Sequence, residues 1–217
     1  MIKIKKMFKL EVLYFLLLLS WGCASHAVIS PEPIRKGEFV SGISWSMENI
    51  FPVVFYRKGL SNRVDIGFRV GLPVYGTGLD LTYTVYSYGL RREFINIAYS
   101  LSSNSSFDFT YYSLRYFKGR AGVRTFYKGF RIMYIPSGIS HERSFRFGFL
   151  GGISLKRFGV ELGYFHDFDK GQPFEFILSQ KPKNPGAITD FGFPGEHSRL
   201  VGMSFSLYFF MKKSFGN

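Results

Sequence analysis

From residue 64 to residue 72 the chain alternates without a break: Val64, Ile66, Phe68, Val70 and Leu72 are separated by Asp65, Gly67, Arg69 and Gly71. In an extended strand successive side chains point to opposite faces, so this stretch has one greasy face and one face of glycine and charge. A helix with a 3.6-residue period would smear both groups around its circumference. The same alternation returns at 79–85, 145–154, 158–164 and 201–209. Weaker versions lie at 39–47, 51–57, 95–101, 107–117 and 123–135, and in the last two the phase slips as it would at a β-bulge. Ten strands are therefore expected, with eight to twelve compatible with the pattern. Phe (26), Gly (24) and Tyr (14) dominate the composition, which favours strands and disfavours helices. The only cysteine is Cys23, so no intrachain disulfide can hold the fold together.

The fold expected is all-β: one antiparallel, up-and-down barrel over 38–211. Two kinds of barrel use this pattern and place the greasy face oppositely. A soluble barrel that binds an apolar ligand turns it inward, whereas a membrane barrel turns it toward lipid and lines its interior with small and charged residues. Glycine favours the second. Gly67, Gly71, Gly148, Gly152, Gly159, Gly163 and Gly202 all share the polar face. Small residues there leave room for charges inside a narrow barrel, while on a solvated exterior they would only weaken the strands. The interior charges expected are Asp65, Arg69, Asp80, Asp108, Arg131, Arg146 and Glu161. They form either a crosslinked plug or the lining of a narrow aqueous path; with about ten strands, a plug is favoured.

Basic residues cluster at the short connections that follow every second strand. These are Arg57, Lys58 and Arg63, then Arg91 and Arg92, Lys118 and Arg120, Lys156 and Arg157, and finally Lys212 and Lys213 in a basic tail over 212–217. In an up-and-down barrel all of these fall at one rim, and lipid phosphates are the natural counter-charges. The longer connections fall at the other rim. Among them is 167–198, a stretch rich in Pro and Gly that either covers the barrel mouth or adds a hairpin. The formal charge is +13, and +10 without residues 1–22. Because the excess is spread over the turns, with no single aromatic-interleaved patch, nucleic-acid binding is not expected.

Residues 1–22 combine Lys3, Lys5, Lys6 and Lys9 with a short apolar run, the pattern of a secretory signal peptide. The segment from Leu19 to Cys23 resembles a bacterial lipobox, which implies a lipid on Cys23 at the head of a linker over 23–37. Trp21 and Ser20 depart from that motif, and cleavage by an ordinary signal peptidase near Ala24 or Ala27 remains the alternative. At the other end, the alternation from Met203 to Phe209 resembles the closing strand of bacterial outer-membrane proteins, although eight residues follow Phe209 where that family ends on its aromatic. At the level of architecture the chain is similar to small outer-membrane β-barrels over 38–210. That resemblance implies a bacterial outer-membrane location, with membrane lipids and the barrel assembly machinery as partners.

No catalytic residue, cofactor or metal site is expected. His26, His141, His166 and His197 show no zinc spacing. The pairings His141 with Ser140 and Glu142, His166 with Asp167, and His197 with Glu196 and Ser198 allow a rim-located enzyme acting on lipid or peptide, but solvated loop polarity is the simpler account. A non-enzymatic membrane barrel with a structural, surface-interaction or narrow-transport role is expected first, a lipid-tethered periplasmic barrel binding an apolar ligand second, and a lipid-modifying enzyme or protease third.

Overall fold

A computed structural model describes residues 34–46, 49–71, 77–100, 105–119, 122–136, 143–155, 157–168 and 203–214. The signal peptide, Cys23, Arg120, His141, Lys156 and nearly all of the 167–198 stretch lie outside the described residues.

Ten strands follow in order: β1 (Phe39–Ser46), β2 (Asn49–Gly59), β3 (Val64–Gly71), β4 (Gly78–Tyr88), β5 (Arg91–Ser100), β6 (Ser106–Gly119), β7 (Gly122–Ile135), β8 (Ser144–Ser154), β9 (Phe158–Asp167) and β10 (Met203–Ser214). Each pairs antiparallel with its sequence neighbours, and β1 pairs with β10, so the sheet closes into a barrel. Closure leaves no unpaired edge. Among the described residues there is no helix.

The alternation decides which face goes where. Along β3, Asp65, Gly67, Arg69 and Gly71 are buried while Ile66, Phe68 and Val70 are exposed. Along β4, Asp80, Thr82 and Thr84 are inside and Leu79, Leu81 and Tyr83 outside. Phe149 is 67% exposed, more than most large apolar side chains of the barrel, and Leu162 and Ile97 are more than half exposed. The outer wall is thus a belt of Phe, Tyr, Leu, Ile and Val, and the inner wall carries Ser, Thr, Gly and charge.

Two features differ from the sequence expectation. The phase slips foreseen in β6 and β7 are not bulges, because those strands pair in unbroken register from Phe107↔Tyr134 to Gly119↔Gly122. The apolar residues instead cross to the inside: Tyr112 and Leu114 on β6, with Tyr127 and Met133 on β7, join Phe94, Leu150 and Phe165 in a buried cluster. The register shifts fall in the pairings of β1 with β10 and with β2 and of β4 with β5, at Ser41/Gly42, Ser44/Ser46 and Thr84/Tyr86. The second difference is at the ends. β10 runs to Ser214, so Lys212 and Lys213 pair with Ser41 and Val40 of β1 and do not start a free tail. Upstream, Ile34 is buried with Val40, Phe55, Tyr208 and Phe210. Lys36 bridges Gly59, and Gly37 has a φ of 85° that turns the chain into β1. The last residues of the expected linker therefore pack against the end of the barrel.

Candidate functional site

The inward positions of β2 to β5 form the first charged network. Arg57 of β2 reaches Asp65 of β3 through Nε (3.0 Å) and Nη2, Asp80 of β4 through Nη1 (2.5 Å), and Thr82 through Nη2 (2.5 Å). Asn96 of β5 donates to Asp80 Oδ1 at 2.8 Å and to Thr82 at 3.0 Å. Arg69 lies 3.6 Å from the second oxygen of Asp80 and donates to Ser100 at 3.4 Å. Arg92 donates to Thr84 at 2.9 Å, approaches Asp65 at 4.0 Å and lies over the ring of Phe94. The geometry follows from the strand period. Residues 65 and 80, on adjacent strands, share the inner face with residue 57, and the fork of an arginine can span them.

A second network lies across the barrel. Arg131 of β7 donates to Thr110 (2.9 Å), to the Tyr112 hydroxyl (2.7 Å) and to Glu161 of β9 (3.2 Å), with its guanidinium over Phe165. Tyr127 and Tyr208 join hydroxyls at 2.8 Å beside it. Asp108 of β6 interacts electrostatically with both Arg69 and Arg131, linking the two networks. Arg146 donates to Ser144 at 3.1 Å.

Glycines make this packing possible. A methyl group at Gly67 would collide with the Asp80 carboxylate, at Gly78 with the Arg69 guanidinium, at Gly152 with the Tyr127 ring and at Gly159 with the Tyr208 ring. Each of these interior side chains thus lies over a neighbouring strand that offers it no side chain.

Among the described residues, the buried charges are Arg57, Arg69, Arg92, Arg131 and Arg146 against Glu38, Asp65, Asp80, Asp108 and Glu161. Five cations meet five anions, and every cation is an arginine. Arginine is the cation suited to burial, because its planar fork satisfies carboxylates and hydroxyls together and is only weakly hydrated. Among the described residues, the buried charges therefore balance.

All seven interior charges expected from the sequence are buried. The rim expectation needs correction at two places. Arg57 and Arg92 are 1% and 3% exposed and belong to the interior network. Consecutive residues of a strand face opposite sides, so in each basic pair only one member, Lys58 or Arg91, can point outward. Lys58, Arg91 and Arg157 are exposed. Lys118 lies in β6 near its turn end. Sequence reasoning did not assign Asn96, Thr110, Tyr112, Tyr127 and Tyr208 to the network. The alternation gave the inward parity of Asn96, Thr110 and Tyr208, whereas for Tyr112 and Tyr127 the apparent phase slip hid it, and the partners come from strands far apart in sequence.

Among the described residues no group of His, Cys, Asp and Glu is arranged to hold a metal. No protein-family model, curated protein or solved structure matches the chain.

Proposed function

We propose that this protein is a non-enzymatic, membrane-spanning β-barrel of a bacterial outer membrane, with a sealed interior and a structural or surface-interaction role. The observation that carries this reading is the inversion of the two faces: large apolar side chains outward, balanced charge inward. In water the outer belt would be a very large exposed apolar surface, whereas in a bilayer it is solvated by acyl chains. A closed barrel is also one of the few folds that satisfies every backbone donor and acceptor inside a hydrocarbon layer. The strands, of 8 to 14 residues, bracket the length a tilted strand needs to cross it.

The sealed interior argues against an open pore. Ion pairs, two apolar clusters and paired tyrosines occupy the bore that ten strands enclose. An apolar-ligand barrel would need Phe68, Phe149 and Leu162 on the inside. In the membrane reading the short turns face the periplasm and the longer connections the cell surface.

The test is fractionation and electrophysiology on the full-length protein. The expected results are recovery with the outer membrane, migration in detergent gels that changes on heating, and no steady ion current in planar bilayers. Recovery as a water-soluble monomer without detergent overturns the membrane assignment, and stable conductance steps overturn the sealed interior.

A further inference from the structure

On the outer wall, near the turn end of β4 to β7, a groove of about 810 Å³ runs between the β4–β5 turn and the long β6–β7 hairpin. Tyr86, Tyr88 and Phe126 line it, together with three cations: Arg91, Arg115 and Lys128. All three are exposed, and their neighbours Arg92, Leu114 and Tyr127 point inward, which fixes the cations to the outside.

The register makes this arrangement unusual. Arg91 and Arg115 are direct cross-strand partners on β5 and β6. Lys128 pairs with Ser113, placing it diagonally next to Arg115. Like charges directly opposite on one face of a sheet repel. Arg91 has a partial remedy in its ion pair with Glu93. Arg115 lies over Phe117, and among the described residues neither it nor Lys128 has an ion pair. Glu93 and Ser113 share this face, Glu93 opposite Ser113, so Arg91, Arg115 and Lys128 cluster beside aromatic rings around a single carboxylate that Arg91 engages.

We propose that this groove holds one anionic phospholipid, its phosphate between Arg115 and Lys128 and its upper acyl chains against Tyr86, Tyr88 and Phe126. The proposal rests on the membrane reading above, which puts this rim at the level of the lipid headgroups. A phosphate supplies negative charge beyond the one carboxylate, Glu93, that three cations share. The aromatic side chains supply the amphipathic wall that suits the boundary between headgroup and hydrocarbon. Lys128 lies opposite Ser113, two positions farther from the β6–β7 turn than Arg115, a span that a lysine stem can cover toward the rim.

The test uses the full-length protein inserted into vesicles of phosphatidylcholine with admixed phosphatidylglycerol, then released in mild detergent for native mass spectrometry. The wild type is expected to retain one phosphatidylglycerol. A cation near a membrane surface is worth about fivefold in binding, so Arg115→Gln with Lys128→Gln should weaken retention by at least about tenfold. Lys58→Gln, on a different part of the wall, should not change it. If the double variant fails to insert, Lys128→Gln alone, with an expected loss of about fivefold, decides in its place. An inserted wild type that retains no phosphatidylglycerol, or a double variant that retains as much as the wild type, overturns the site and leaves the membrane reading standing. Displacement of the lipid by inorganic phosphate would reduce the groove to a bare anion contact and also overturns it. A chain that never enters the bilayer overturns both.

Discussion

Replacing Arg57 by Met tests whether the interior is dry. Arg57 is the hub between Asp65 and Asp80, and Met keeps most of its length while removing the charge. What remains for the two carboxylates can be read from the structure. Asp65 keeps Arg92 at 4.0 Å, and Asp80 keeps Asn96 at 2.8 Å and Arg69 at 3.6 Å. Breaking a buried ion pair from one side costs about 3–5 kcal/mol, and this residual compensation puts the expected loss near the lower end, about 3 kcal/mol. With a urea m-value on the order of 2 kcal/mol per molar, the unfolding midpoint should fall by roughly 1.5 M. The assay is urea titration of the protein in lipid vesicles, read by the heat-modifiable gel shift that the proposed membrane barrel should show. Adding Asp65→Asn should recover at least half of the loss, because it removes the carboxylate that the loss of the guanidinium strands. A shift in Arg57→Met below about 0.5 M, corresponding to about 1 kcal/mol, would refute the reasoning. The pair would then be screened by water, and the interior would be a hydrated channel.

Gly159→Ala should destabilise the barrel by about 1–3 kcal/mol, because its methyl group lands on the Tyr208 ring and disturbs the Tyr127–Tyr208 pair; the same titration reads it, and an unchanged midpoint would show that the ring moves freely. In a Cys23→Ser background, Phe149→Cys should react with a bilayer-dissolved maleimide and Ser44→Cys should not, since residue 149 faces outward and residue 44 is buried inside. Reversed reactivity would turn the barrel inside out.

The strand count and the orientation of β3, β4 and β8 were legible in the sequence because small or charged residues occupy one parity almost without exception. Legibility failed where the interior itself is apolar. Along β6 the inner face changes from Ser106, Asp108 and Thr110 to Tyr112 and Leu114, while Ser113 and Arg115 lie outside, so the hydrophobic signal switches sides although the strand does not. A periodicity measure reads that switch as a slip. The basic dipeptides failed differently: proximity to a turn marked Arg57 and Arg92 as rim residues, and only parity shows that they are core. No local pattern announces the convergence of Arg131, Tyr112 and Glu161, which depends on barrel closure.

The β1–β10 seam joins Phe39 to Ser214 and Ser46 to Ser206, residues separated by most of the chain. Until the last strand has been made and brought back, the partly assembled sheet has two raw edges, and each offers a row of unpaired backbone groups. Local hairpins can form early, but the seam carries the largest loop-closure entropy in the molecule. In a hydrocarbon layer those edges would be intolerable. If the barrel spans a membrane as proposed, the sheet must be zipped at this one line as, or before, it is surrounded by lipid. The burial of Ile34 beside Val40 and Phe210 adds side-chain contact where the backbone closes. Assembly of this protein should thus be limited by the meeting of its two ends, with hairpin formation fast by comparison, and lesions at the seam should trap the chain open while lesions elsewhere weaken a barrel that has already closed.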